Sequence, residues 1–371
     1  MIRLARPEFD EKELAAALEV LRTGMLTQGA HVAAFEAACA RRCGRTYGVA
    51  VSSGTSALYL ALSALQLGPS DEVLVPALTW PSPAHAVIAV GAAPVLVDVD
   101  PQSWNATAEN YRRARSDATR AAIVIDQFGA PVDRASIEDA LQDLLVIEDA
   151  ACAIGSRFAD GRPCGSFGLV SCLSFHPRKV ITTGEGGMCL TDRIDLAKEL
   201  RSLRNHGQAE AGRFEHAALN HRLTEVAAVL GQGQLQRLDE TVAIRQALAD
   251  RYRNRLDENK RSGEMPLTRQ EYPAGASSNV QTFGVVLNAG NRDEIIARLR
   301  TLGVEAGRLS YALHQIKPIA EKARIPSALL HAETIANQGL ALPLHPQMDL
   351  NDCDVVVDKL CSCLSGLSYS H

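Results

Sequence analysis

Seven short apolar runs constrain this chain more than any other feature: residues 47–52, 72–76, 94–99, 120–126, 144–149, 170–175 and 187–190. Helical patterns at 56–67 and 83–90 interleave with the first of them. Several runs, 144–149 above all, place apolar residues at successive positions. A strand built that way is apolar on both faces and needs cover on both. Such strands alternating with helices fold as a mainly parallel sheet between helical layers, so the expected class is α/β.

The flanks add detail. Residues 11–22 carry Leu14, Leu18 and Leu21 at helical spacing. A glycine-punctuated stretch, Gly24 to Gly29, separates them from a second helix at 31–43. Residues 195–204 read as a helix stopped at His206-Gly207. A single long helix is expected over 223–256, with a stripe of Val226, Val229, Leu230, Leu235 and Leu238. The C-terminal remainder reads as a smaller α+β unit, with a strand at 280–287 and helices at 292–302 and 351–364. A chain of 371 residues exceeds one simple core. We therefore expect a large domain over 1–240 and a smaller one over 241–371, joined by the long helix.

Composition excludes some classes. A net charge of −5 argues against a nucleic-acid partner. No stretch is apolar enough to span a membrane, and the first residues do not read as a signal peptide. Nine cysteines are scattered without zinc-ligand spacing, so no metal is expected. They read as small buried hydrophobes in a reducing, cytoplasmic setting.

Four segments at predicted strand ends carry chemistry. The first is Ser174-Phe-His-Pro-Arg-Lys179, ahead of a glycine-rich turn at Gly184 to Gly187. A lysine beyond the carboxyl end of a sheet strand can become desolvated and attack a carbonyl. Taken alone, Lys179 reads better as a solvated surface lysine. The second is Asp149, ending the most apolar strand. A carboxylate there is a paired functional group or a helix cap. The third is Ser52-Ser53-Gly54-Thr55-Ser56, between a strand and a helix. Backbone N–H groups and hydroxyls at a helix start suit a phosphate, although Ser and Thr also serve as plain caps. The fourth is Trp80, which would stack on a flat heterocycle or fill the core. Together an imine-forming lysine, a ring-nitrogen carboxylate, a phosphate cradle and a stacking aromatic make up a pyridoxal-phosphate (PLP) site. A nicotinamide dehydrogenase would need a Gly-x-Gly-x-x-Gly turn after the first strand, and none is there.

These motifs resemble the DegT/DnrJ/EryC1/StrS family of sugar aminotransferases. The likeness runs through Gly24-Met-Leu-Thr-Gln-Gly29, Gly54-Thr-Ser-Ala-Leu58, Ile147-Glu-Asp-Ala-Ala151 and the lysine segment. It continues in Leu203-Arg-Asn-His-Gly207, Asn220-His-Arg-Leu-Thr-Glu225 and Ala341-Leu-Pro-Leu-His-Pro346. The resemblance implies PLP-dependent fold type I, like aspartate aminotransferase, and a homodimer with shared active sites. It implies that Lys179 carries the cofactor and moves protons, and that Asp149 pairs with the ring nitrogen. Gly54, Thr55, Ser56 and Ser174 would hold the phosphate, Trp80 would stack on the ring, and Asn220 would reach the phosphate from the partner subunit. Met25, Leu26, Thr27 and His314 would lie near the substrate. A branch of the family has histidine in place of the lysine and dehydrates its substrate; Lys179 favours transamination.

Three departures stand out. Cys152 occupies the position where many members bond the cofactor's phenolic oxygen through Gln or His. Asp126-Gln-Phe128 lacks their usual histidine, and Gly303 to Tyr311 is atypical near the sugar. The expected activity is transfer of an amino group from L-glutamate, or a similar donor, to a keto sugar, foremost a nucleotide-linked keto-deoxyhexose. A ketocyclitol or other keto polyol, a PLP-dependent dehydration and a non-catalytic PLP-binding regulator remain the alternatives. Arg222, Arg308 and Lys317 are candidates for a diphosphate, each reading better as a solvated charge.

Overall fold

A computed structural model describes residues 1–261 and 267–364. Helices α1 (Glu11–Thr23) and α2 (Ala30–Arg42) lead into β1 (Tyr47–Val51), α3 (Gly54–Ala64), β2 (Glu72–Pro76), β3 (Leu78–Thr79), α4 (Ser82–Ala89) and β4 (Ala93–Val97). Next come α5 (Ala108–Ala114), β5 (Thr119–Ile125), α6 (Arg134–Ala140), β6 (Leu145–Asp149), β7 (Val170–Ser174), β8 (Gly187–Thr191) and α7 (Ile194–Arg204). A short ribbon, β9 (Gln208–Glu210) with β10 (Arg213–Phe214), precedes α8 (Glu225–Gln236) and α9 (Leu238–Arg261). The rest comprises β11 (Leu267–Arg269), β12 (Phe283–Leu287), α10 (Arg292–Thr301), β13 (Gly307–Arg308), β14 (Tyr311–Ala312), α11 (Lys317–Ala320), α12 (Leu330–Gln338), β15 (Gly339–Leu342) and α13 (Leu350–Leu364).

The seven expected strands form one sheet in the order β1-β8-β7-β6-β5-β2-β4. Five run parallel from β7 to β4, while β8 lies antiparallel to both neighbours. One apolar cluster includes Leu58, Leu62, Val75 and Ile147. A second includes Phe35, Leu74, Val124 and Phe175. Successive residues of one strand, such as Leu74 and Val75, fall in different clusters, as the two-face pattern required. A third cluster joins α9, α10 and α13 to the small antiparallel sheet β11-β12-β15-β13. Leu313, Ile319 and Ile335 instead join the first cluster, so part of the C-terminal third packs back on the large sheet. Among the described residues no helix is long and apolar enough to cross a membrane.

One expectation is corrected. The single helix over 223–256 is two helices, broken at Arg237, whose ψ of 5° leaves the helical region. The break lets α8 pack on α1 and α2 while α9 packs on α13, which one straight rod would not do. Arg237 itself bonds the buried Glu13 at 2.8 Å. The Leu14-Leu18-Leu21 stripe of α1 faces outward, with 47%, 49% and 54% of each side chain's surface exposed. Glu13 and Val20 form the inward side. Glu13 tolerates burial because it closes a capping box with Asp10 and also accepts from Gln234 and Arg237.

Candidate active site

The parallel strands deliver their carboxyl ends to one rim of the sheet. Asp149 ends β6, Ser174 ends β7, and β1 runs into the Ser53 cap of α3. Lys179 lies on the loop after β7, and that loop is braced from several directions. Lys179 N–H donates to the His176 carbonyl at 2.8 Å, and Thr182 Oγ1 to the Phe175 carbonyl at 2.8 Å. The Arg178 carbonyl accepts from Gln281 Nε2 at 2.7 Å. Gly184, at φ 83°, makes the left-handed return toward β8. The lysine is thus held by backbone geometry and not by its own side chain.

Its Nζ lies 3.1 Å from Cys152 Sγ. Asp149 is buried and accepts one N–H, from Ala151 at 3.0 Å. Burial raises its carboxyl to about 6, while the Ala151 N–H and the Lys179 charge pull it back toward ionisation. A buried acid with one donor suits a cationic N–H partner, which a protonated pyridine provides.

The phosphate-suited corner is built on α3. Ser53 caps it, accepting from Ser56 N–H at 3.0 Å. Ser56 Oγ lies 3.0 Å from the hydroxyls of both Ser52 and Ser53. Thr55 Oγ1 is 2.7 Å from Ser82 Oγ, at the start of α4. A Cβ at Gly54 would come within 2.8 Å of Ser174 Cβ, so only glycine lets α3 approach β7 this closely. Trp80 is 61% exposed, with Tyr311 edge-on at 5.4 Å. The indole therefore presents a bare ring and is not core filling. Lysine, buried acid, hydroxyl-rich helix start and open indole lie along one rim, and this donor set fits PLP.

Other expected residues stand apart from this group. Met25 and Leu26 are exposed, and Thr27 bridges to Thr224. Asn220 is exposed, and its Oδ1 accepts from Arg222 N–H at 3.1 Å. His314 follows β14, 3.5 Å from Glu333, with its Nδ1 buried and unpartnered. Among the described residues none of these hydrogen-bonds to Lys179 or Asp149. Arg222 bonds Asn205 Oδ1 and Arg308 pairs with Asp293 at 3.0 Å, whereas Lys317 is largely exposed.

Three contributors escaped the sequence reading. His221 Nδ1 lies 3.0 Å from Ser56 Oγ and positions that hydroxyl from behind. Burial lowers its pKa, and its Nε2 is unpartnered. Glu225 accepts N–H bonds from Gly29, His31 and Val32 at 2.8–3.0 Å, fixing the 24–29 loop and capping α2 from 193 residues away. Tyr311 reaches Trp80 because β14 pairs with β3. The sequence held a signal for the first two, since both fall inside the Asn220–Glu225 motif.

On the opposite face of β6, Glu148 accepts from Gly165 N–H, Phe167 N–H and Ser171 Oγ at 2.6–2.7 Å. Burial, and after it the neighbouring Glu148, push the Asp126 carboxyl well up. These two and Cys164 are close enough to ligate a cation. Both Glu148 oxygens already accept hydrogen bonds, so the cluster is a buried polar network.

The sequence profile of the DegT/DnrJ/EryC1/StrS aminotransferase family matches residues 7–361. The chain belongs to that family. It is 35% identical to GDP-perosamine synthase of Caulobacter vibrioides, over 97% of each chain. It is 31% identical to dTDP-4-dehydro-2,3,6-trideoxy-D-glucose 4-aminotransferase of Saccharopolyspora spinosa, over 97% of this chain and 96% of that one. The aminotransferase TlmJ from Streptoalloteichus hindustanus superposes with a TM-score of 0.91 at 33% identity, covering 98% of this chain and 99% of its own. The protein is therefore a PLP-dependent aminotransferase with the type I fold.

Proposed function

We propose that this aminotransferase moves an amino group from L-glutamate to a nucleotide-linked keto sugar and works as a homodimer. The observation that carries the reading is the rim itself: Lys179, Asp149 and the α3 cap at the ends of neighbouring strands. The acceptor class is supported by the relatives, one named for the synthesis of a GDP-linked sugar and the other for 4-amination of a dTDP-linked dehydro sugar. The dimer is supported by the exposed Leu14, Leu18, Leu21, Met25 and Leu26, a run of apolar surface on one helix and its loop. The division near residue 240 and a cytoplasmic setting belong to the same reading. They are supported by the separate third apolar cluster and by nine cysteines that form no disulfide.

When bound, PLP supplies the electron sink that stabilises charge on the substrate carbon. Lys179 anchors it, then accepts and returns the proton of the reacting carbon at Nζ. Asp149 keeps the proton on the ring nitrogen by offering a buried carboxylate to it. The α3 N-terminus, Thr55, Ser56 and Ser174 bind the phosphate. Trp80 covers the ring face, and Cys152 lies against the anchoring amine. Asn220 would reach the phosphate of the neighbouring subunit's site, and Met25, Leu26, Thr27 and His314 would line the substrate side.

The test is a two-stage assay. The visible absorbance of the PLP-loaded protein should fall on adding L-glutamate and recover on adding a nucleotide-linked keto sugar, with an amino sugar formed. Release of ammonia, or recovery only with a ketocyclitol, would contradict the acceptor assignment.

A further inference from the structure

We propose that Cys152 and Lys179 are an oxidant-modifiable pair: in the cofactor-free chain a hydroperoxide joins Sγ to Nζ and closes the anchoring lysine. The geometry provides both partners. Nζ stands 3.1 Å from Sγ, close enough for a small side-chain movement to bring them within bonding reach. Both residues are half-buried at the site rim. Of the nine cysteines, seven are fully buried, leaving Cys152 and Cys361 open to a solvent oxidant. The braced loop fixes the lysine backbone, and Cys152 lies three residues past the end of β6, so only the side chains need to move.

The chemistry balances. The peroxide transfers one oxygen to Sγ, giving sulfenic acid and water, or the corresponding alcohol from an organic hydroperoxide. The Nζ lone pair then attacks Sγ, an S–N bond forms, the S–O bond breaks, and hydroxide leaves with an amine proton as water. Sulfur is oxidised, peroxide is reduced, and the joined side chains have lost two hydrogens. A thiol reductant reverses the step by opening the S–N bond. PLP bound at Nζ removes the lone pair, so the loaded protein is protected. Formation of the bond does not depend on the keto-sugar assignment; its consequence for PLP uptake rests on Lys179 being the anchor.

The experiment compares the full-length chain, stripped of PLP or loaded with it, after brief hydrogen peroxide treatment. Peptide mass mapping should find the Cys152 and Lys179 peptides joined with loss of two hydrogens in the stripped sample only. PLP uptake, read by absorbance, should be lost after peroxide and regained with dithiothreitol. Cys152→Ser, whatever its uptake before treatment, should lose none of it to peroxide, and Cys361→Ser should behave as wild type. Cys152 oxidised to sulfinic or sulfonic acid with Lys179 unmodified would overturn the proposal, as would the same linkage in the loaded sample. Should Cys152→Ser fold poorly, the wild-type peptide map decides alone. Absence of PLP uptake before any peroxide would count against the anchor assignment and leave the mapping result independent.

Discussion

The rim around Lys179 and the outer edge around α1 are built on opposite principles. At the rim nearly every polar group answers to another within the chain: Ser53 with Ser56, Ser56 with His221, Thr55 with Ser82, Lys179 with Cys152. At the outer edge Leu14, Leu18, Leu21, Met25 and Leu26 meet solvent, and Asn220 is exposed. Yet Glu225 fixes the backbone of the same edge with three N–H bonds. A loop that is rigid in its backbone and apolar outside is prepared for a surface it does not itself contain. The contrast separates the Lys179–Asp149 corner, which this chain builds from its own strand ends, from the outer edge, which our proposal assigns to contact with a second copy.

The largest effect should come from the rim. Lys179→Ala should lower turnover by at least ~10³-fold, the scale of a lost acid–base group, and remove the visible cofactor band. Steady-state kinetics near the wild-type rate would break the assignment. Asp149→Asn should lower turnover by ~10²-fold or more while stabilising the cofactor-free fold. The sign follows from its raised carboxyl: between about 4 and about 6 the folded chain binds more protons than the unfolded one, so stability falls as pH rises through that window. The loss is on the order of 3 kcal/mol. Thermal melts of the cofactor-free variant should lack the part of this fall that Asp149 causes.

The outer edge gives the next effect. Leu18→Glu with Leu21→Glu should leave the monomer folded, because both side chains are already about half exposed. The pair should shift sedimentation from dimer to monomer and abolish turnover. An unchanged sedimentation profile would place the interface elsewhere. The smallest effect should be at His221. Its replacement by Phe frees the Ser56 hydroxyl and should weaken PLP binding about fivefold, the scale of one hydrogen bond of ~1 kcal/mol. A PLP titration measures it.

The sheet was legible because its signal is local. Both-face apolar runs such as 144–149 and 170–175 fall within a residue or two of β6 and β7. Lys179, Asp149 and the Ser53–Ser56 turn could be read because each lies directly at or after such a run. Helices α5, α6 and α12 were missed; they span seven to nine residues and offer too few turns for a periodic signal. The break at Arg237 was hidden because its neighbours keep helical spacing, and only packing against α1, α2 and α13 separates the two halves. The outward direction of the α1 stripe was not readable for a related reason. Periodicity reports an apolar face but not which surface covers it, and Glu13 is buried by long-range partners such as Gln234 and Arg237. The Asn220–Glu225 motif flagged Glu225 and His221, but their partners lie more than 160 residues away, so their roles were not readable from the motif alone.

The most direct test of the account is where the cofactor attaches. Borohydride reduction of the PLP-loaded protein, followed by peptide mapping, should place a phosphopyridoxyl group on Lys179 and on no other lysine. Label on a different lysine, or none despite excess PLP, would contradict the site built here from the strand ends.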